Sequence, residues 1–360
     1  QRNELYNSFI FPSSVFSKKL SSAHSSFPAI NYLYKNRLEK FMKRRKSYAL
    51  WAAAILAASL GITACQKSED GQKKKLKPLV LSEVAHSIFY APQYAAIELG
   101  YFEEEGIDLT LVNGGGADKV MTSLISGDAQ IGFMGSEASI YVYQEGAEDY
   151  AVNFAQLTQR AGNFLVGREP EADFKWESLK GKTILGGRAG GMPQMVLEYI
   201  LKKHGLNPKT DLTIDQSINF GLTAAAFSSN DADYTMEFEP FATTLELEQK
   251  GYVAASLGEE SGYVPYTAYC VRKSFLEENP ELIQRFTNAI QKGLDYVNSH
   301  SSQEIAAVIS PQFKETPTEK ISLIVDRYKN QDTWKEDTVF KKESFQLLQH
   351  ILEEAGELKE

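Results

Sequence analysis

A repeated strand–loop–helix series between residues 79 and 133 constrains the fold of this chain more than any other feature. After an apolar run and a loop, a helical pattern covers 92–99, and alternating apolar and polar residues at 107–112 predict a strand. The order repeats with an amphipathic helix at 117–126 and a strand at 129–133. Strands joined through helices form a parallel sheet, and open sheets of this kind bind ligands at the carboxyl ends of their strands.

The second half of the chain predicts another α/β series and then a run of helices. A strand at 150–157 is followed by a break in the pattern at 158–163, which suits a crossing between two lobes. A further strand at 266–271 suits a crossing back. Between the crossings, a second series begins with the segment 176–185 and a glycine loop. It continues with helices predicted at 192–204 and 222–228 and strands at 212–215 and 234–238. After them, helices are predicted at 280–298, 302–309, 318–328 and 341–354, and none sustains a heptad pattern.

The order of several short motifs resembles one family of proteins. The family is that of the solute-binding proteins for sulfonates, taurine, nitrate and thiamine precursors, which deliver ligands to ABC importers. The resemblance covers roughly residues 79–296. The motifs that carry it are Phe89-Tyr90-Ala91-Pro92, Gly100-Tyr101-Phe102, Glu105-Gly106-Ile107, Ser126-Gly127-Asp128-Ala129-Gln130-Ile131-Gly132 and Ser178-Leu179-Lys180-Gly181-Lys182.

The resemblance implies a fold of α/β class, the two-lobed periplasmic-binding-protein type II fold. Each lobe would be an open, mostly parallel sheet flanked by helices, with the ligand cleft between the lobes. Ligand that touches both lobes would favour a closed state about a hinge. In the family, the C-terminal helices return to pack on the first lobe. We therefore expect lobe I to comprise 79–160 and 268–360, and lobe II to comprise 161–267.

The N-terminal residues carry the pattern of an export signal. Residues 1–41 lack helix or strand periodicity and are expected to be translated upstream sequence, with Met42 as the start. A basic stretch and a short apolar run at 48–60 then precede Ile62-Thr63-Ala64-Cys65, which resembles a bacterial lipoprotein cleavage box. We expect a signal peptide at 42–64, acylation of Cys65, and a flexible tether at 65–78. The alternative is an ordinary secretory signal with an incidental cysteine.

Charge and cysteine content narrow the function classes. The formal net charge is −9, but residues 1–64 hold 10 of the 38 basic and only 2 of the 47 acidic side chains, so the remainder carries −17. Such an acidic body argues against nucleic-acid binding. The two cysteines, Cys65 and Cys270, predict neither an intrachain disulfide nor a cysteine metal site. We expect no cofactor, no metal and a monomer.

Loops after the first three strands supply the ligand-binding candidates of lobe I. Glycines let backbone N–H groups approach a ligand, and helix starts carry positive dipole ends, although each glycine could equally be a tight turn. Aromatic rings could stack on a ligand ring, but most aromatic side chains fill cores. A lone histidine is more often a hydrogen-bonding side chain than a metal ligand. The candidates are His86, Ser87, Phe89, Tyr90, Gly115, Gly135 and Ser136.

Lobe II supplies a glycine loop, a strand end and two arginines. The loop 186–193 matches neither the dinucleotide fingerprint nor a P-loop, so it is an anion or carbonyl cradle or simply a flexible turn. The segment 231–241 resembles a family strand that ends in Trp-Glu-Pro, with Phe238 in place of the tryptophan. Its carboxylates would meet an amine or ring N–H and repel a bare anion, whereas the arginines would attract one. The candidates are Arg160, Arg188, Gly190, Gly191, Glu237, Phe238 and Glu239.

The sequence therefore predicts a lipid-anchored, extracytoplasmic binding protein that presents a small organic solute to an ABC permease and its ATPase. The favoured ligand is an amine-bearing heteroaromatic, such as a pyrimidine thiamine precursor, and the alternative is a sulfonate, taurine or nitrate. The resemblance extends to fungal pyrimidine-synthesis enzymes, but their cysteine cluster has no counterpart here. A regulator's effector domain is disfavoured by the export signal.

Overall fold

The computed structural model of the protein describes residues 75–187, 189–218 and 221–358. Within those ranges the chain forms two five-stranded sheets flanked by helices, which confirms the predicted two-lobed α/β fold. The predictions for Cys65, the signal peptide and Arg188 concern residues outside the described part.

The first sheet has the strand order β2-β1-β3-β10-β4. Leu79 of β1 lies opposite Leu109 of β2, and Leu81 of β1 lies opposite Ile131 of β3, both in parallel register. These strands are parallel as predicted, whereas β10 runs antiparallel to both of its neighbours. The strands are β1 (Lys77–Glu83), β2 (Ile107–Asn113), β3 (Ile131–Gly135), β4 (Ala151–Thr158) and β10 (Thr267–Arg272).

The second sheet has the order β7-β6-β8-β5-β9, with β5 antiparallel to β8 and β9. Strand β9 was not predicted, because its five residues are all half-buried and show no alternation of apolar and polar side chains. The strands are β5 (Asn163–Gly167), β6 (Thr183–Leu185), β7 (Thr213–Asp215), β8 (Tyr234–Phe238) and β9 (Tyr252–Ser256). The chain thus passes between the sheets at 159–162 and returns at 257–266.

Eight helices connect these strands in the described part of the chain. Two of the short ones, Phe241–Leu247 and Leu257–Ser261, were not predicted from the sequence. Those beside the first sheet are α1 (Ala91–Glu98), α2 (Tyr101–Glu104), α3 (Ala117–Ser126) and α4 (Glu137–Gln144). Those beside the second are α5 (Met192–Lys203), α6 (Thr223–Ser229), α7 (Phe241–Leu247) and α8 (Leu257–Ser261).

Five helices follow β10, and the first long one packs on the first sheet's helices. Helix α10 buries an apolar stripe that includes Phe286, Ile290 and Leu294 against α1 and α2. A side chain at Gly293 would collide with the carbonyl of Pro92, so glycine allows the close approach of these helices. The five are α9 (Lys273–Glu278), α10 (Pro280–Ser299), α11 (Ser302–Ile309), α12 (Thr318–Asn330) and α13 (Lys342–Ala355).

The last two helices reach beyond the first lobe. Helix α12 contacts both the 3-10 turn Ile88–Tyr90 and α7. Helix α13 packs on α5, where the rings of Tyr199 and His350 meet at 6.1 Å. Helix α13, which buries Leu348, Ile351 and Leu352, therefore contacts a helix of the second lobe, although the family resemblance led us to expect the C-terminal helices on the first lobe. No helix in 75–187, 189–218 or 221–358 combines the length and apolar character needed to cross a bilayer.

Candidate ligand-binding site

Side chains that follow strands of the first sheet meet side chains that follow strands of the second. The ring centroids of Phe89, after β1, and Phe238, at the end of β8, lie 6.0 Å apart. The hydroxyl of Tyr141 on α4 donates to the carbonyl oxygen of Gly190 at 3.4 Å. This junction is the edge at which the sequence places the ligand, and we call it the cleft.

Four aromatic rings surround Phe89 at the cleft. Its centroid lies 5.2 Å from Tyr90, 5.8 Å from Tyr266 and 5.2 Å from Tyr328, in addition to Phe238. Phe89 is only 1% exposed, while Phe238 is half-buried. The structure thus brings three predicted aromatic residues together. Phe89 forms the packed base of this cluster, and Phe238 is its more accessible face.

The chain fixes Phe89 from two sides. The indole Nε1 of Trp334 donates to its carbonyl oxygen at 2.8 Å. A side chain at Gly162 would place its Cβ 2.5 Å from Cε2 of the Phe89 ring. Glycine at that crossing residue therefore leaves room for the ring.

A buried carboxyl, Glu137, joins the two lobes. It is the first residue of α4 and is 4% exposed, and the backbone N–H of Met192 at the start of α5 lies near its carboxyl. A helix N-terminus attracts negative charge, and here the side chain of the other lobe supplies it. Burial raises the pKa of Glu137 to about 7, opposed by backbone hydrogen bonds. A side chain at Gly135 would overlap this carboxyl, so glycine is required there.

Several buried polar atoms of the cleft residues have no hydrogen-bond partner among the described residues. They are Oε2 of Glu137, the hydroxyl of Tyr266, and both amide atoms of Asn163. Asn163 begins β5 directly opposite Phe238, and the negative charge of Glu137 contributes to the raised pKa of Tyr266. Buried polar groups are normally paired, so these atoms are candidates for ligand contact. None of these three residues was predicted from the sequence as a ligand contact. Only the positions of Asn163 and Tyr266 at the two crossings could have signalled them.

The two predicted glutamates of β8 differ in environment. Glu237 is 2% exposed and accepts from the hydroxyl of Thr235 at 2.6 Å. Burial raises its pKa to about 7, while hydrogen bonds from Thr235 and Thr223 act in the opposite direction. Glu237 is therefore a buried carboxyl whose pKa lies near neutral pH.

Glu239, in contrast, is fully engaged inside the protein. Its Oε1 lies 2.6 Å from Nη1 of Arg327 and 2.9 Å from the hydroxyl of Thr243, and its Oε2 accepts from the backbone N–H of Thr243 at 3.0 Å. This carboxylate is neutralised by an arginine more than eighty residues away. The structure gives no support to its predicted role in binding ligand.

His86 and Ser87 also make contacts within the first lobe. Nδ1 of His86 lies 2.8 Å from Oε1 of Glu83, and Nε2 lies 2.9 Å from the carbonyl oxygen of Gln312. The hydrogen bond to Glu83 raises the pKa of His86, against the lowering effect of burial. Ser87 accepts from the backbone N–H of Phe89 and caps the 3-10 turn. Both side chains thus shape the loop that carries Phe89.

The remaining candidates lie in turns or at the crossings between the two lobes. Nη1 of Arg160 donates to the carbonyl of Gly258 at 3.0 Å, and its guanidinium lies 4.2 Å from the Tyr263 ring centroid, so it is directed to α8. The backbone N–H of Gly115 donates to Oδ1 of Asn113 in a turn with φ of +68°. Of the other three candidates, the hydroxyl of Ser136 donates to the carbonyl of Pro265, Gly190 N–H donates to Gln194, and Gly191 precedes α5.

No group of three or more His, Cys, Asp or Glu side chains is arranged to hold a metal ion in the described part of the chain. The single cysteine there, Cys270, is buried, and burial raises the pKa of its thiol to about 12. The residues that meet at the cleft are suited to stacking and hydrogen bonding.

Comparison with protein families and curated proteins identifies relatives. Residues 88–304 match the family model described as NMT1/THI5 like. The chain is 44% identical over 297 residues to YtlA of Bacillus subtilis (strain 168), whose name designates a binding protein, with 82% of this chain and 87% of YtlA covered. It is 26% identical over 227 residues to 4-amino-5-hydroxymethyl-2-methylpyrimidine phosphate synthase THI11 of Saccharomyces cerevisiae, covering 58% of this chain and 63% of that enzyme.

Solved structures share the fold. The periplasmic aliphatic sulphonate binding protein SsuA from Escherichia coli superposes with a TM-score of 0.61 at 16% identity, covering 78% of this chain and 91% of that one. The periplasmic nitrate-binding protein NrtA from Synechocystis PCC 6803 gives a TM-score of 0.57 at 16% identity, covering 75% of each chain. At these identities the similarity is one of fold.

Proposed function

Because this chain belongs to the NMT1/THI5-like family, we propose that it is the extracytoplasmic substrate-binding component of an ABC importer. Its relative YtlA is named as a binding protein, and its fold is that of SsuA and NrtA. In this proposal a small solute binds between the lobes and favours the closed state by touching both. The partners are the solute, a membrane permease and its ATPase, and the protein acts as a monomer.

The environment of Glu137 supports an amine-bearing heteroaromatic solute. The N-terminus of α5, where an anionic ligand would bind most favourably, already faces this carboxyl. A bare sulfonate or nitrate would sit beside a buried acid that becomes negative above about pH 7. An aminopyrimidine edge presents an N–H donor next to a ring-nitrogen acceptor, which complements a carboxyl group. Unpartnered Oε2 is the atom that such a donor would meet.

The aromatic residues support the same ligand class. Phe238 is half-buried and packs on Phe89 and Tyr266, so a flat ring could stack there. Asn163, opposite Phe238, offers both a donor and an acceptor. We assign the solute to the class of pyrimidine thiamine precursors and similar aminated rings.

An anion binder of the same fold is the alternative. The glycine loop that precedes α5, together with Arg188, would favour a sulfonate, taurine or nitrate. An anion at that loop would have to displace the Glu137 carboxyl from Met192, which makes this alternative the weaker one.

The synthase activity named for the yeast relative is a second candidate of another class. It has less support, since the chain is 44% identical to a binding protein and 26% identical to the synthase. Cys270, the one cysteine after the tether, is buried and has a raised thiol pKa, which suits packing rather than chemistry.

Membrane attachment through Cys65 completes the proposal. Replacing Cys65 with Ser and fractionating cells tests it, with the unchanged protein as the control. The variant should leave the membrane fraction; equal membrane retention of both forms would contradict the lipid anchor.

Native mass spectrometry of gently purified protein tests the function directly, because tight binders often keep their solute. We expect a retained mass that fragments as an aminated heteroaromatic ring, and that disappears on denaturation. A retained sulfonate would contradict the proposed ligand class and support the anion alternative. Conversion of a bound precursor into a pyrimidine product would replace binding with catalysis.

A further inference from the structure

A second cavity, away from the cleft, lies where three segments of the chain run between the two lobes. Its volume is about 430 Å³, within the range of small-molecule sites. Its lining includes Gln156 of β4, Gln159 of the first crossing, Tyr263 of the return crossing and Lys335 of the connection from α12 to α13. We call it the hinge cavity.

Backbone hydrogen bonds fix the third segment against the first. The N–H of Gln156 donates to the carbonyl of Thr338 at 2.9 Å, and the N–H of Gln159 donates to the carbonyl of Thr333 at 2.9 Å. The connection ends in α13, which packs on α5 of the second lobe. The walls of the hinge cavity therefore belong to segments that must adjust when the lobes move.

A buried ammonium group faces this cavity. The side chain of Lys335 is 3% exposed, and its ion pair is with Asp337 at 3.4 Å, whose side chain is 52% exposed. Loss of hydration lowers the pKa of Lys335, and the Asp337 carboxylate opposes that effect. The buried cation is thus incompletely compensated, and a carboxylate bound beside it would be favourable.

Gln156, which also lines the cavity, carries a buried acceptor. Gln156 is 1% exposed, and its Nε2 donates to the carbonyl of Thr158 at 3.0 Å, which fixes the orientation of the amide. Its Oε1 has no partner among the described residues. An unpaired buried acceptor is costly, and an N–H donor from a ligand would pair it. Glu343 and Glu336 line the cavity too and favour positive charge in that donor.

We infer that the hinge cavity binds a small zwitterion of the amino-acid type. Its carboxylate contacts the Lys335 ammonium, and its ammonium donates to Oε1 of Gln156 and lies near the carboxylate of Glu343. A ligand with both charges satisfies both groups, whereas a simple amine meets Lys335 with like charge and a simple acid leaves Gln156 unpaired. Because the segments that join the lobes form its walls, occupancy of the hinge cavity biases the position of the lobes.

Calorimetric titration with three probes of matched length tests this inference: 4-aminobutyrate, butylamine and butyrate. We expect saturable binding of 4-aminobutyrate at least tenfold tighter than that of either other probe. Absence of saturation by 4-aminobutyrate, or equal binding of all three, would overturn the inference.

Two variants and a control locate the site. Lys335→Met keeps the aliphatic stem and leaves Asp337 in contact with water, so the fold should persist; Gln156→Met removes the acceptor at similar volume. Each should weaken 4-aminobutyrate binding about tenfold or more, whereas Lys209→Met at an exposed site should not.

Amide chemical shifts in the unaltered protein give a second readout that needs no variant to fold. Addition of 4-aminobutyrate should shift Thr333 and Thr338, which line the third segment. Shifts confined to Glu137 and Met192 would instead place the probe in the cleft and refute the hinge site.

Discussion

Nη1 of Arg327 lies 2.6 Å from Oε1 of Glu239, and this ion pair ties helix α12 to the end of strand β8. The same guanidinium also pairs with Glu246 on α7. Because Glu239 is almost fully buried, its charge depends on this arginine for compensation. The pair therefore secures the second lobe to a C-terminal helix that also contacts the first lobe's Ile88–Tyr90 turn.

Removing the arginine should destabilise the protein strongly. Arg327→Met leaves the buried carboxylate of Glu239 without its positively charged partner. Breaking a buried pair in this way typically costs about 3 to 5 kcal/mol of unfolding free energy. Arg272→Met is a matched control, since Arg272 pairs with Asp149 where both side chains are about one-third exposed, and should cost about 0 to 1 kcal/mol. Urea unfolding of both variants measures the difference, and equal losses would contradict the structural role of Arg327.

The buried carboxyls predict a fall in stability as pH rises. Glu137 and Glu237 have pKa values raised from 4.5 to about 7 by burial, so the folded state binds protons that the unfolded state has released. The free energy of unfolding should therefore decrease as pH rises from about 4.5 to about 7. A single shift of this size corresponds to something on the order of 3 kcal/mol.

The variant Glu137→Gln/Glu237→Gln carries the test of that pH dependence. It keeps side-chain size and removes both titrating protons, so its unfolding free energy should vary less across the same window. Chemical denaturation at half-unit pH steps measures both proteins. A variant with the same slope as the parent would show that other groups govern this range.

His86 predicts a second loss of stability at higher pH. Both of its ring nitrogens face acceptors, the Glu83 carboxylate and the Gln312 carbonyl, so the imidazolium form satisfies both; the rings of Tyr94 and Phe313 complete its surroundings. Its pKa is raised, chiefly by the hydrogen bond to Glu83. The stabilisation is present in full below the ordinary pKa of 6.5 and is lost as pH rises through the raised value.

Substitution of two histidines checks this expectation. His86→Gln should abolish the loss of stability above pH 6.5, while His350→Gln, at a half-exposed surface position on α13, should retain it. Thermal unfolding between pH 6 and 9 is the measurement. If the stability of His86→Gln depends on pH as that of the parent protein does, the contacts of His86 with Glu83 and Gln312 contribute no pH sensitivity.

The strands and long helices could be predicted because periodicity reports burial on one face. The parallel segments around Leu81 and Ile131, and the stripe of α10, follow this rule. Phe89 and Phe238 could be placed at the cleft because they follow strands in the series. The pairing of Glu239 with Arg327 could not, since nothing local links residues so far apart.

The unpartnered atoms of the cleft escaped prediction for a related reason. Glu137 reads in sequence as an ordinary acidic residue in the first turn of a helix, which normally faces solvent. Its burial results from the approach of Met192 across the cleft. Likewise, Asn163 and Tyr266 become candidates for ligand contact only because the fold brings the two crossings together.

Gly162 should be intolerant of a side chain because of Phe89. Gly162→Ala places a methyl group 2.5 Å from the Phe89 ring, so the ring must move or the crossing must shift. Overpacking of this kind typically costs about 1 to 3 kcal/mol, and solute affinity should fall with the displaced ring. The parent protein is the reference for both measurements. Stability and affinity of Gly162→Ala equal to those of the parent would show that Phe89 tolerates the methyl group.

The most direct test of the proposed ligand chemistry is calorimetric titration of Glu137→Met and the parent protein with an aminopyrimidine and an alkanesulfonate, with exposed Glu148→Met as the control. We expect the parent protein to bind the aminopyrimidine. Glu137→Met should weaken this binding roughly 10- to 100-fold, because it removes a charge-assisted hydrogen bond. Glu148→Met should leave the binding unchanged. Two results together would contradict this ligand chemistry. The parent would bind the sulfonate more tightly than the aminopyrimidine, and Glu137→Met would bind the sulfonate as tightly as the parent or more tightly.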